Sequence, residues 1–427
     1  MKVSRTASLR ASLAVFALIA LFAFVPRASG QEQVIHSFLN NDQDGRGPWS
    51  NLVFDASGNL YGTTSLGGRS GTKCGGQGCG TVFELIARQG RWGRHILYNF
   101  RQSTGSGATP LSGVILDSSG NIYGTTQAGG SKQVGTVFEL TLGTTGTWTQ
   151  TILHSFSTKN DGRYPLGSLV FDSAGNLYGT TSGGGKYQGG TVFELSPGTG
   201  GQWTETPLYS FCPVAGCPDG ANPASNLIFD SSGNLYGTTT AGGAQQSGAV
   251  FQLTPSSTGK WTETTLYSFQ NNNLDGVNPD AGVLLDLAGN LYGTTYWGGI
   301  YGAGTVFELS PNGQGQWAET VLYSFNSSGQ DAQDPYAGVI ADASGNLYGT
   351  AQYGGSGTGC DGGCGAIFEL SQSSGQWTES ILYSFNDNGT DGFDPAGGLV
   401  FDASGNLYTT TIEGGTDGFG TVVDLRP

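Results

Sequence analysis

The phrase Gly-Asn-Leu-Tyr-Gly-Thr-Thr occurs seven times in this chain, with its Asn at 59, 121, 176, 234, 290, 346 and 406. The copies differ little: Ile122, Ala351 and Thr409 are the substitutions within the phrase. Successive copies lie 55 to 62 residues apart. Self-similarity at such a period is the mark of stacked supersecondary units, each unable to bury its apolar face alone. One repeating unit of about 57 residues therefore governs residues 31–427, and a multi-domain arrangement is excluded despite the length.

Each unit reads as four short strands. In the third, Leu169-Val170-Phe171-Asp172 is a continuous apolar run, expected of a strand covered on both faces. Ser173-Ala174-Gly175-Asn176 is a tight turn, and Leu177-Tyr178-Gly179-Thr180-Thr181 is rich in β-formers. A Gly-Gly loop leads to Thr191-Val192-Phe193-Glu194-Leu195, and a Gly-rich turn to a last strand opened by Trp203. No helical periodicity interrupts the pattern. The prediction is an all-β fold, a single seven-bladed β-propeller with four antiparallel strands per blade. The seventh unit stops after residues 421–425, while residues 34–38 match the fourth strand at 152–156. The N-terminal strand is thus predicted to close the last blade and remove an open sheet edge.

Composition narrows the function. With 75 Gly, 11% charged and 11% aromatic residues among 427, the chain is neither disordered nor, lacking a three-residue Gly period, collagenous. A net charge of −15 argues against nucleic acid or an anionic membrane surface as partner. Lys2, Arg5 and Arg10 precede a short apolar run at 11–25 and small residues at Ala28 and Gly30. This reads as a signal peptide over 1–30, cut before Gln31, and predicts a secreted or periplasmic protein without a membrane span after cleavage. The remaining chain carries 13 basic and 32 acidic residues. Six Cys in three local pairs, Cys74/Cys79, Cys212/Cys217 and Cys360/Cys364, suit loop disulfides in an oxidising compartment.

The turn Asp-x-x-Gly-Asn-Leu-Tyr is similar to that of NHL propeller repeats, with Gly-Thr-Thr where those continue differently. The fuller pattern adds Gly-Gly, Gly-Thr-Val-Phe-Glu-Leu, Trp and Leu-Tyr-Ser-Phe, and resembles the bacterial Gloeo-Verruco (GloVer) tandem repeat across residues 34–425. The resemblance implies an exported bacterial repeat protein and brings no catalytic residues with it.

The candidate chemistry is sparse. His36 and His154 stand where other units carry Tyr209 or Tyr267, and His95 aligns with Thr206, so no triad assembles. Asp172 and Glu194 have counterparts in most units, and residues present in every blade are explained by the blade. A loop of pattern Asp-Gly-x-x-Pro precedes each first strand and reads as a solvated turn. Extra acids there, Asp42 beside Asp44 and Asp387 and Asp394 beside Asp391, offer a calcium reading; no other cofactor is expected. The residues before each Gly-Gly pair vary most: Ser65-Leu66, Gln127-Ala128, Ser182-Gly183, Thr240-Ala241, Tyr296-Trp297, Gln352-Tyr353 and Ile412-Glu413. Variable loops on a rigid scaffold commonly carry binding residues. Tyr296, Trp297, Tyr301, Tyr336 and Tyr353, with Glu413, suit stacking against sugar rings. Arg88, Arg91, Arg94 and Arg101 suggest a basic sector near blade one.

The sequence therefore predicts a non-enzymatic, monomeric binding or surface-interaction module for a polysaccharide or cell-surface glycoprotein. A carbohydrate-active lyase or hydrolase on the same scaffold, and a purely structural envelope protein, are the alternatives.

Overall fold

The computed structural model describes residues 31–426, apart from 40, 42, 70–73, 89, 102, 104 and 158. The segment expected to be a signal peptide lies outside the described residues, as does Asp42. Seven four-stranded antiparallel sheets form a β-propeller. In blade three the strands run in order Val170–Phe171, Leu177–Thr181, Thr191–Pro197 and Trp203–Ser210. The other blades repeat this order. In blade seven the fourth strand is Gln31–Ser37, paired antiparallel with Thr421–Arg426.

The repeated phrase has a physical reason at each place. The turn Asp accepts four hydrogen bonds. Asp172 Oδ1 takes the amides of Ala174 and Asn176 at 2.8 and 2.9 Å, and Oδ2 takes Asn176 Nδ2 and the Tyr178 hydroxyl at 2.8 and 3.1 Å. Although burial pushes Asp172 up, these donors hold its carboxyl below the usual range. The first Thr donates to a carbonyl of the next blade: Thr180 to Ser225 at 3.0 Å, and Thr410 to Ser50 at 3.1 Å, which closes the ring. The second Thr meets a Thr of the third strand, as Thr181 meets Thr191 at 2.8 Å.

The core lies between blades. Phe156, at the end of one blade's fourth strand, is fully buried with its ring 5.2 Å from Phe193 of the next, and Phe269 packs likewise on Phe307 at 5.1 Å. Removing the turn acceptor should be felt accordingly. Asp172→Ala frees the two amides and the Tyr178 hydroxyl, and is expected to cost about 2 kcal/mol of unfolding free energy in a urea titration. A cost under about 0.5 kcal/mol would show the turn to be held by backbone alone.

Candidate functional site

Two sets of loops meet on one face of the propeller. One joins second and third strands, and the other carries the Asp-Gly-x-x-Pro segments between blades. Short pairings tie them together, such as Gly276–Val277 with Trp297–Gly298 and Ala332–Gln333 with Tyr353–Gly354. The residue before each Pro has positive φ in every blade, including non-Gly Thr109, Tyr164, Asn222, Asn278, Asp334 and Asp394. The backbone holds it on both sides. The Asp394 amide donates to the Cys364 carbonyl at 3.0 Å, and the Asp334 carbonyl accepts the Gln352 amide at 3.2 Å. Its side chain is thereby left without a structural task.

All three expected disulfides are formed, Cys74–Cys79, Cys212–Cys217 and Cys360–Cys364, and all lie in loops of this face.

The Asp of the Asp-Gly-x-x-Pro loop is not a solvated turn residue. Asp44, Asp219, Asp275, Asp331 and Asp391 are buried. Each accepts from an aromatic residue of the preceding fourth strand: Tyr267 reaches Asp275 at 2.7 Å, Tyr383 reaches Asp391 at 2.7 Å, and His36 pairs with Asp44 at 3.4 Å. Of the acids in the calcium reading, Asp42 lies outside the described residues. Asp391 and Asp44 are occupied by Tyr383 and by His36 and Arg94, Asp387 is exposed, and Asp394 is turned toward Gln352 and Glu413. Among the described residues no three His, Cys, Asp or Glu side chains form a metal-holding group. Arg94 likewise leaves the expected basic sector, spending its charge on Asp44 at 3.0 Å.

A cavity of about 450 Å³ occupies the central channel, lined by the segments that enter the first strands of all seven blades. Its lining includes Trp49, Asn51, Gln127, Asp280 and Tyr336 and, among the described residues, no Arg, Lys or His. Trp49 of blade one meets Tyr336 of blade six across the channel, ring centres 5.7 Å apart. Tyr336 lies 6.1 Å from Tyr296, and Tyr296 lies 5.3 Å from Trp297. Four rings in edge contact thus lead from the channel to the rim of blade five. The Tyr296 hydroxyl donates to Gln352 Oε1 at 2.8 Å. Trp297 and Tyr353 remain 49% and 39% exposed, well above what a ring recruited to cover the fold would show.

Carboxyl groups gather beside this path. Burial pushes Asp280, Asp334 and Asp394 each up to about 6, and Glu413 adds to the rise at Asp394. Burial and then the charges of Asp394, Asp334 and Glu413 raise the Tyr353 hydroxyl. Asp394 Oδ1 is buried without a hydrogen-bond partner.

Of the six residues expected to bind, Tyr296, Trp297, Tyr336, Tyr353 and Glu413 are therefore brought to one mouth. Tyr301, four residues beyond Trp297 in the same loop, is exposed and lies near Tyr323 of blade five's fourth strand. Trp49, Asp280, Asp334 and Gln352 belong to the mouth and were not expected there. The signal was present in the residues flanking each Pro, which vary from Trp49 to Ala396 within a strict repeat.

The sequence profile of the Gloeobacter/Verrucomicrobia repeat matches residues 20–228 and 214–423. No curated protein matches the chain. Among solved structures, an ulvan lyase from a new family of polysaccharide lyases is similar over 90% of this chain and 95% of its own, at 11% identity and a TM-score of 0.52. An ulvan lyase bound to -[GlcA(1-4)Rha3S]- covers the same shares at 10% identity and a TM-score of 0.50. A protein described as an oxidoreductase (glucose dehydrogenase) from Thermus thermophilus is 14% identical over 93% of this chain and 99% of its own, with a TM-score of 0.40. At these identities the likeness is one of fold.

Proposed function

The chain belongs to the Gloeobacter/Verrucomicrobia repeat family, and from that premise we propose that it is an exported, non-enzymatic β-propeller that binds a glycan at its channel mouth. The observation that carries this reading is the aromatic path Trp49–Tyr336–Tyr296–Trp297 along a cavity of about 450 Å³. Tyr and Trp offer a flat apolar face to a sugar ring while their polar edges stay wet. Three disulfides support an oxidising compartment.

The charge of the mouth selects among glycans. The repeat -[GlcA(1-4)Rha3S]- held by one lyase is anionic. A lining with Asp280 and no Arg, Lys or His disfavours such a chain. Neutral or amine-bearing sugars fit, the amine facing carboxylates and ring faces together. Asp280, Asp334 and Asp394 ionise near pH 6, so affinity for an amine-bearing glycan should rise from about pH 5 to about pH 7.

A soluble-glycan array of residues 31–427 tests this beside a Trp297→Ala, Tyr336→Ala double variant. Binding to neutral or amine-bearing glycans that falls at least about tenfold in the variant is the expected result, since each ring removed takes about 1 kcal/mol or more. No binding by folded wild type would leave a structural envelope role. A hydrolytic reading rests on Asp334 and Asp394, whose carboxyls lie in the range of a general acid beside Tyr353. Release of new reducing ends from a bound glycan would establish it.

A further inference from the structure

We propose that five of the seven blade junctions are closed by a proton held between facing carboxyl groups, making ring closure a pH-sensitive device that tightens in mildly acidic surroundings and loosens in alkaline ones. The fourth strands of neighbouring blades touch along the propeller's outer wall. At one position of that strand stand Glu205, Glu263, Glu319, Glu379 and Glu32. Each lies close enough to the loop Asp of the adjoining junction to feel its charge: Asp161, Asp219, Asp275, Asp331 and Asp391 in the same order.

The geometry is clearest between blades five and six. Asp331 Oδ2 accepts the Tyr323 hydroxyl at 3.1 Å and the Asn326 amide at 2.9 Å. Asp331 Oδ1 and Glu379 Oε1 are both buried with no side-chain donor, and the Ala332 amide lies beside the pair. The two carboxyl groups nevertheless lie in hydrogen-bonding contact with each other. Two carboxylates are acceptors only, so the contact requires a proton on one of them. Between blades six and seven Glu32 Oε1 and Asp391 Oδ1 are likewise buried, with Tyr383 donating to Asp391 and lying within reach of Glu32, and Asp391 and Asp424 both adding negative charge to Glu32.

The other three junctions follow with their own neighbours. Glu205 Oε1 is buried and donorless beside Asp161, which His154 and Ser157 already engage. Glu319 Oε1 is donorless beside Asp275, engaged by Tyr267. Glu263 takes the Thr265 hydroxyl at 2.9 Å and faces Asp219, engaged by Tyr209.

The remaining two junctions serve as controls within the molecule. Where blade one has Arg94 instead of Glu, its guanidinium pairs with Asp44 at 3.0 Å. Where blade two has Gln150, the amide oxygen accepts from Tyr98 at 2.8 Å, and Ser106 replaces the Asp. Where the Glu is exchanged, its Asp is either kept against a cation, as Asp44 is by Arg94, or exchanged with it, as at Gln150 and Ser106. Burial, reinforced by the facing Asp, raises Glu205 and Glu379 to about 8 and Glu319 to about 7, and burial raises Glu32 and Glu263 to about 7.

The sign follows. A carboxyl whose folded pKa exceeds its unfolded value binds more protons in the folded state between the two, so stability falls as pH rises from about 4.5 to about 8. Thermal unfolding of residues 31–427 between about pH 6 and about pH 9 reads this directly, beside a variant carrying Glu32→Gln, Glu205→Gln, Glu263→Gln, Glu319→Gln and Glu379→Gln. Gln150 shows that the amide fits the site. The wild-type midpoint is expected to fall by about 10 °C and that of the variant by less than about 3 °C. A flat wild-type profile, or an equal slope in the variant, overturns the proposal. Should the variant fail to fold, a ¹³C carboxyl titration of Glu-labelled wild type decides: several Glu titrating near neutrality support the shared proton, and all titrating near 4.5 refute it.

Discussion

A chain that begins at Leu39 is expected to lose its cooperative thermal transition above room temperature and to associate at micromolar concentration. Residues 31–38 supply the whole fourth strand of blade seven. Gln31–Ser37 pairs with Thr421–Arg426, and the Phe38 amide donates to the Gly420 carbonyl at 3.0 Å. Phe38 is fully buried, its ring 5.3 Å from Phe83 of blade one, so the segment seals the seam between last and first blades. Loss of one such Phe side chain costs about 3–5 kcal/mol by itself. The deletion also removes His36 from Asp44 and uncovers the edge of Thr421–Arg426, a template for pairing with another chain. Calorimetry and size-exclusion chromatography of the truncated protein check both expectations, and a peptide of residues 31–38 added in trans should restore part of the midpoint. A truncated protein that stays monomeric and melts within about 2 °C of wild type would mean that the ring does not depend on closure by the N-terminal strand.

Gly349→Ala is expected to cost about 3 kcal/mol in urea unfolding, although it adds a single methyl group. A Cβ at this position would stand 2.4 Å from Phe368 Cζ of the adjoining strand. The pair recurs in register as Gly293 opposite Phe307 and Gly179 opposite Phe193. Blade seven exchanges both members, placing Thr409 opposite Val423. Glycine here makes room for a neighbouring ring and has nothing to do with turning the chain. The natural exchange supplies the second arm: Gly349→Thr with Phe368→Val should be more stable than Gly349→Thr alone, because the two share one volume. Were Gly349→Ala neutral, or the double variant no better than the single, the packing argument would fail.

The ring of seven blades was legible because its determinants are local and repeated. The turn Asp, the β-rich phrase and the Trp opening six of the seven fourth strands recur at near-constant spacing, and the match of residues 34–38 to 152–156 foretold closure. The junctions were not legible. Tyr267 and Asp275 are eight residues apart, but their bond depends on how the chain crosses from one blade to the next. The facing of Glu319 on Asp275 also depends on the packing of two separate sheets. The mouth was half legible. Variation before the Gly-Gly pair pointed to Tyr296, Trp297, Tyr353 and Glu413. Trp49 and Tyr336 are separated by most of the chain and meet only because the ring closes. Tyr301, two residues beyond Gly299, is exposed near Tyr323.

The position before each Pro is fixed by main-chain bonds, as the Asp394 amide is by the Cys364 carbonyl, while its side chain ranges from Gly47 to Tyr164. Loop variation and folding are therefore written in separate alphabets. A lineage could redraw the mouth one blade at a time, trying a ring here and a carboxyl there, without putting the ring's assembly at risk. The same separation makes the scaffold a ready frame for engineered binders, with seven addressable loops over a body that need not be redesigned.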